Sequence, residues 1–391
     1  MLVVELFLVL ACIVAGARLG GIGLGVMGGL GVALLVFVFG LQPTSPPVDV
    51  MLMIAAVISA AGCMQAAGGL DYMVGLAERM LRRHPQYVTF LAPLVTYSFT
   101  FLAGTGHVAY SVLPVIAEVA RETKIRPERP LGIAVIASQQ AITASPISAA
   151  TVALLGLLAG YEITLLDILK VSIPATLIGV IVGSFASLKV GKELVDDPEY
   201  KRRIEAGEIK AAGAGVAMDA PRGAKLSVLL FVVATLCVVL FGSVESLRPS
   251  FGGERVGMPL IIEMVMLAAA ALILLFTGAT GVKAAQGSVF SAGMQAVVAI
   301  FGIAWMGDTF INGNMLELKA AIEGVVTDMP WLFGLALFVM SILLYSQAAT
   351  VRAIVPLGVA LGLSPMLLVA LFPAVNGYFF IPNYPTLVAA I

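Results

Sequence analysis

Arg352 is the residue that most needs a partner. It closes the run Tyr345-Ser346-Gln347-Ala348-Ala349-Thr350-Val351-Arg352, a polar interruption in the apolar stretch 331–363. A charge at mid-depth in hydrocarbon costs roughly 2.5–3.5 kcal/mol even on the lenient insertion scale, so something must compensate it. A structural pair with a buried carboxylate or with helix-end carbonyls would do so. So would a carboxylate of a bound molecule, gripped bidentately by the guanidinium fork. A second interruption, Ala103-Gly104-Thr105-Gly106-His107, divides the stretch 87–120. Polar residues also break 130–160, at Ser138, Gln139, Gln140, Thr143, Ser145 and Ser148, and 365–391, at Asn376, Asn383, Tyr384 and Thr386. Together with Thr105, Gly106, His107, Ser346, Gln347, Thr350 and Arg352, these form the candidate site. No Asp or Glu falls in either tip or either interrupted segment, so the set is net positive and suits an anion.

The elements carrying these residues belong in a membrane. Of 391 residues, 60% are hydrophobic and 12% charged, against about 45–50% and about 25% in soluble domains. The charge is concentrated: 191–224 holds 13 charged residues and 19–48 none. A net charge of −1 without a basic cluster argues against nucleic acid as a partner. Leu6 to Ala17 imitates a secretory signal, but Glu5 precedes it where positive charge belongs, so it is the first span. Cys12, Cys63 and Cys237 stand singly in apolar segments and support neither a disulfide framework nor a metal site. Gly23-Leu24-Gly25-Val26-Met27-Gly28 has dinucleotide-loop spacing, but no strand precedes it. With Gly16, Gly20, Gly21 and Gly29 it signals close helix packing, including at a dimer interface. Gly278-Ala279-Thr280-Gly281-Val282-Lys283 fails P-loop spacing. No hydrolase or zinc-protease motif occurs, so neither a cofactor nor an enzyme is expected.

Hydropathy predicts spans near 2–17, 20–40, 49–69, 130–160, 164–188, 226–245, 257–277, 291–307 and 365–391. Half of 87–120 or of 331–363 is shorter than the ~20 residues a crossing needs. Each therefore reads as a re-entrant helical hairpin with its polar tip at mid-membrane, where irregular backbone is tolerated beside a cavity. Arg79, Arg82, Arg83, Arg121, Lys124, Arg126 and Arg129 flank the first hairpin and put both its ends in the cytoplasm. The linker 191–225 falls there too, and the N-terminus in the periplasm. Asp308, Glu317, Glu323 and Asp328, against Lys319, put the start of the second hairpin outside. Asp71, Asp167, Glu263 and Asp308 lie near span ends and read as interfacial. Within the linker, Asp197 caps a short helix, Pro198 opens it and Gly213 lies beyond its end.

A shift of 242 residues superposes the hairpins, bringing Leu113-Pro114 onto Val355-Pro356. Residues 1–190 and 226–391 thus read as an inverted repeat, the build of many secondary transporters. The second half stops at Ile391 without a counterpart to 164–188, so a last helix is expected to be missing.

Particular motifs carry a family resemblance. Gly68-Gly69-Leu70-Asp71-Tyr72, the tip Ala103 to His107 with Leu113-Pro114-Val115-Ile116-Ala117-Glu118, Ala137 to Ser148, and Phe379-Phe380-Ile381-Pro382-Asn383-Tyr384-Pro385-Thr386 resemble the anaerobic C4-dicarboxylate transporters, the Dcu A/B family. The likeness runs over essentially the whole chain. It implies an all-α inner-membrane carrier of ion-transporter type, with a hairpin-bearing domain moving elevator-like against a scaffold. It implies fumarate, succinate, malate and aspartate as substrates, typically in fumarate/succinate exchange. A homodimer in membrane lipid is expected, with helices 2–40 and 226–277 at the contact. Sodium or proton symport would fit the same fold, and so would a dicarboxylate-sensing subunit reporting to a sensor kinase. A cation/proton antiporter would want a mid-membrane carboxylate, which the tips lack.

Overall fold

The computed structural model describes residues 1–158, 160–206, 223–317, 329–344, 346–377 and 379. Among the described residues, six segments are long and apolar enough to cross a membrane. They are α3 (Val48–Ala66), the broken run α7–α8 (Glu128–Ala144 and Ala149–Leu157), α9 (Leu165–Ser187), α11 (Ala224–Ser243), α12 (Met258–Thr277) and α14 (Ser288–Gly313). Burial ranks them: the α7–α8 window is 72% buried, whereas α9, α11 and α12 are 33% buried. The broken run is therefore central. The other three present Ile178, Phe185, Leu229, Leu236, Leu267 and Leu275 outward, an apolar face that only lipid or another apolar surface satisfies.

Helix α14 is the spine of one side. It packs on α2 (Gly23–Phe37), on α3, and on α1 (Leu2–Leu19). Its contact with α2 is made backbone to backbone. A Cβ on Gly25 would collide with the Val298 carbonyl, and one on Gly302 with the Gly25 carbonyl. The glycine stripe read from the sequence thus serves close packing inside the chain, as small-residue seams do. At one end of this group Asn314 Nδ2 donates to the buried Glu5 at 2.6 Å, and Trp305 Nε1 donates to the Thr44 carbonyl at 2.6 Å. At the other end Gln65 Nε2 donates to Ser288 Oγ at 2.7 Å.

Both hairpin segments are helix–break–helix. In the first, α5 (Val88–Ala103) ends on Gly104 at φ 70, a left-handed position glycine adopts without strain. A 3-10 turn follows over Gly106–Ser111, then α6 (Leu113–Glu122). The preceding helix α4 (Gly69–Arg83) buries Leu70, Met73, Ala77 and Leu81 and keeps its charges on the other face. From its end Arg82 pairs with Glu122 at 2.7 Å, Glu118 at 3.2 Å and Glu78 at 2.8 Å. The chain therefore returns, after its tip, to the level where it started. In the second hairpin, α15 (Leu332–Leu344) and α16 (Gln347–Ala360) lie antiparallel, with Gly358 against the Phe333 ring. The segment after it begins with α17 (Pro365–Leu371), tightens into a 3-10 turn at Phe372–Val375 and reaches Asn376.

The segment that follows the first hairpin anchors the linker. Arg126 Nη1 binds the Asp197 carboxylate at 2.6 Å, and Arg129 binds Glu193 at 2.8 Å and the Val190 carbonyl at 2.8 Å. The Arg126 hydrogen bond, with backbone amides at the same carboxylate, holds Asp197 below the usual range. Asp197 caps α10 (Pro198–Glu205) through the Glu199 and Tyr200 amides, as its sequence predicts. That helix ends at Glu205; the expected stop at Gly213 lies outside the described residues. Between α11 and α12 a two-residue antiparallel ladder pairs Ser250 with Arg255 and Phe251 with Glu254.

Candidate functional site

The breaks converge on one cavity of about 540 Å³. One wall is scaffold: the end of α1, the middle of α3 and the Ala292–Ala299 side of α14. The other is built from the tips, with Gly104, Thr105 and Gly106 from the first hairpin and Ser346, Gln347 and Ala348 from the second. Ile147, Ala149 and Ala150 of the broken run complete it.

Local sequence explains why helices start here. Pro146 has no amide hydrogen and holds the residue before it in extended backbone, so α7 ends and Ser145 sits at φ −76, ψ 129. Ser148 then caps α8, its Oγ accepting from the Thr151 amide at 3.2 Å. Ser346, extended at φ −153, caps α16 in the same way, accepting from the Ala349 amide at 3.2 Å. Two helix N-termini thus line one cavity. First-turn amides have no acceptor within their helix, and each terminus carries about half a positive charge. Among the described residues the lining includes no carboxylate, and Arg18 is its one charged side chain. Such a wall favours an anion at two points.

Behind it, hydrogen bonds tie the two halves of the chain together. Gln347 Nε2 donates to the Gln139 carbonyl at 3.3 Å and to Asn376 Oδ1 at 3.2 Å. Asn376 Nδ2 donates to Thr143 Oγ1 at 3.1 Å, and that hydroxyl donates to the Gln140 carbonyl at 2.9 Å. Thr100 and Ser138 share a hydrogen bond at 2.6 Å, and Ser138 donates on to the Gly106 carbonyl at 3.3 Å. Ser145 donates to the Phe101 carbonyl at 2.7 Å, and Thr350 to the Ser346 carbonyl at 2.8 Å.

The sequence-predicted set therefore divides. Thr105, Gly106, Ser346 and Gln347 line the cavity; Ser138, Gln139, Thr143, Ser145, Ser148, Thr350 and Asn376 form the hydrogen-bonded shell behind it. Arg352 lies one turn beyond Ala348 on the same face of α16, 8% exposed, with its Nε buried and without a hydrogen-bond partner. Helical side chains lean toward the N-terminus, which for Arg352 is the tip. The side chain of His107, and Asn383, Tyr384 and Thr386, fall outside the described residues.

Sequence reasoning passed over Arg18 and Gln295, which line the cavity from the scaffold side. It also read Asp308 as lying near a span end and interfacial. The structure puts Asp308 inside α14, half-buried and five residues before the helix stops at Gly313. The apolar Phe310-Ile311 beyond it was the available signal. Among the described residues no three His, Cys, Asp or Glu side chains converge as a metal site would require.

The sequence profile described as "Anaerobic c4-dicarboxylate membrane transporter" matches residues 1–391. The chain belongs to that DcuA/DcuB family. It is 45% identical to the C4-dicarboxylate transporter DcuA of Wolinella succinogenes, over all of this chain and 90% of the relative. It is 46% identical to DcuA of Escherichia coli K12, with the same coverage. It is 42% identical to the anaerobic C4-dicarboxylate transporter DcuB of Escherichia coli O157:H7, over 99% of this chain and 89% of the relative. Among solved structures, the crystal structure of the Alcanivorax borkumensis YdaH transporter, noted for an unusual topology, superposes with a TM-score of 0.54. That match covers all of this chain and 90% of the other at 14% identity, a likeness of fold. As a DcuA/DcuB member the chain is a multi-pass bacterial membrane transporter, and the family is not one of enzymes.

Proposed function

We propose that this chain carries C4-dicarboxylates across the bacterial inner membrane, one substrate entering as another leaves. The observation that carries the reading is the cavity into which two helix N-termini open and whose described lining holds no carboxylate. One carboxylate of fumarate or succinate is met by the α16 terminus and by Arg352. The other is met by the α8 terminus, with the tip backbone at Thr105 and Gly106. The names of the DcuA and DcuB relatives support the substrate class.

The hairpins are read as re-entrant, their tips at mid-membrane, the two halves as an inverted repeat, and the hairpin-bearing domain as moving elevator-like against a scaffold of α1–α3, α11, α12 and α14. The return of the first hairpin to its own starting level at Arg82 supports this. Positive charge at that level and in the linker supports a cytoplasmic position for both, with the N-terminus in the periplasm. The outward apolar residues of α1 and α12 suit a second copy as well as lipid.

Counterflow tests the proposal. Proteoliposomes loaded with unlabelled succinate are expected to accumulate labelled fumarate, and empty ones are not. Arg352→Gln is expected to abolish uptake while the protein stays folded. Full uptake by that variant would remove Arg352 from the site, and absence of flux in the parent with succinate still bound would favour a sensing subunit for a kinase.

A further inference from the structure

Arg352, buried, and Asp308, half-buried, are opposite charges, and the transport reading gives Asp308 no role. Neither forms an ion pair or a side-chain hydrogen bond among the described residues, and Arg352 Nε has no acceptor. They belong to helices in direct contact: α16 packs along α14, and a methyl placed on Gly307 would meet the Ala353 Cα at 3.6 Å. Their neighbours in sequence thus touch, while the charged groups stand apart. Asp308 follows Gly307 and Arg352 precedes Ala353, so each charge stands one residue from that contact.

A pair that is close but unbonded has a particular use. A buried guanidinium without any counter-charge is costly, whereas one locked in a bidentate ion pair has no free edge for a ligand. We propose that Asp308 is the resident counter-ion of Arg352 in the empty carrier, and that a substrate carboxylate displaces its influence on binding. This rests on the assignment of Arg352 to the substrate site. In this arrangement Asp308 is a positioning residue: its negative charge lowers the net charge of the empty site and opposes the arriving dianion, so release stays fast enough for exchange. Attraction between Arg352 and substrate is thereby held below what an unopposed arginine would give.

Binding of labelled succinate to the purified full chain, together with counterflow, separates the possibilities. Asp308→Asn is expected to bind succinate about tenfold more tightly and to exchange it more slowly. Asp308→Glu is expected to stay near the parent on both counts. A residue that only braced the two helices would weaken binding or leave it unaltered, so an unchanged or higher Kd in folded Asp308→Asn overturns the proposal. A double-mutant cycle on thermal unfolding tests the pair without any substrate. Arg352→Gln is expected to lower Tm by stranding Asp308, and Arg352→Gln with Asp308→Asn to recover much of the loss. Zero coupling in that cycle overturns the counter-ion role. Strong coupling with parental succinate binding by Arg352→Gln instead overturns the substrate assignment and, with it, the displacement.

Discussion

Ser148 and Ser346 do the same work from two distant points of the chain. Each caps a helix that starts at the cavity, and each uses its hydroxyl on the third amide of the turn, which leaves the earlier amides for a ligand. Replacing a serine cap by alanine costs about 1 kcal/mol of helix stability in ordinary contexts. Ser346→Ala and Ser148→Ala are each expected to raise the KM for succinate several-fold with a smaller effect on maximal rate; an unchanged KM in both would mean these termini are not the anion contacts. Ser148 and Ser346 were legible in the sequence as polar residues at breaks in apolar runs, though not as helix caps. Asp308 was not. A lone carboxylate near the end of a hydropathy window is read as interfacial by default, and only the run of α14 on to Gly313, packed against α16, shows that it lies within the helix.

At the scale of elements, the breaks are what the sequence encodes most plainly. Gly104 must end α5 where the backbone turns left-handed, and Pro146 must end α7 because it removes an amide and constrains Ser145. Less legible is which helix touches which. Nothing local in Gly302 says that Gly25 will lie against it, since that contact joins residues 277 apart in sequence. The closeness makes it testable. Gly302→Val is expected to force α2 from α14, lowering Tm by several degrees and reducing the yield of folded protein, as overpacking of about 1–3 kcal/mol or more would. Gly29→Ala, on a side of α2 where an added Cβ meets nothing within 4 Å, is expected to be silent. Equal effects from the two would contradict the seam.

At the scale of the molecule, the cavity opens beside the end of α1 and the start of α14, which share an end with the Gln65–Ser288 contact. In the proposed orientation this is the cytoplasmic end. In a variant stripped of Cys12, Cys63 and Cys237, a cysteine replacing Gln295 is expected to react with a membrane-impermeant thiol reagent in inside-out vesicles, and succinate is expected to slow the reaction. Faster labelling from the periplasmic side would reverse the orientation.

The two hairpins are closed by different chemistry. The first has Arg82 holding Glu118 and Glu122, side chains roughly a quarter exposed; the second has the Phe333 ring seated on Gly358. Surface ion pairs are screened within a Debye length of about 8 Å at physiological ionic strength, and more sharply as salt rises, whereas apolar contacts are not. Ionic strength therefore addresses one hairpin and spares its mate. On the proposed topology, with the two hairpins entering from opposite faces, the water on one side of the membrane would have a lever on transport that the water on the other side lacks.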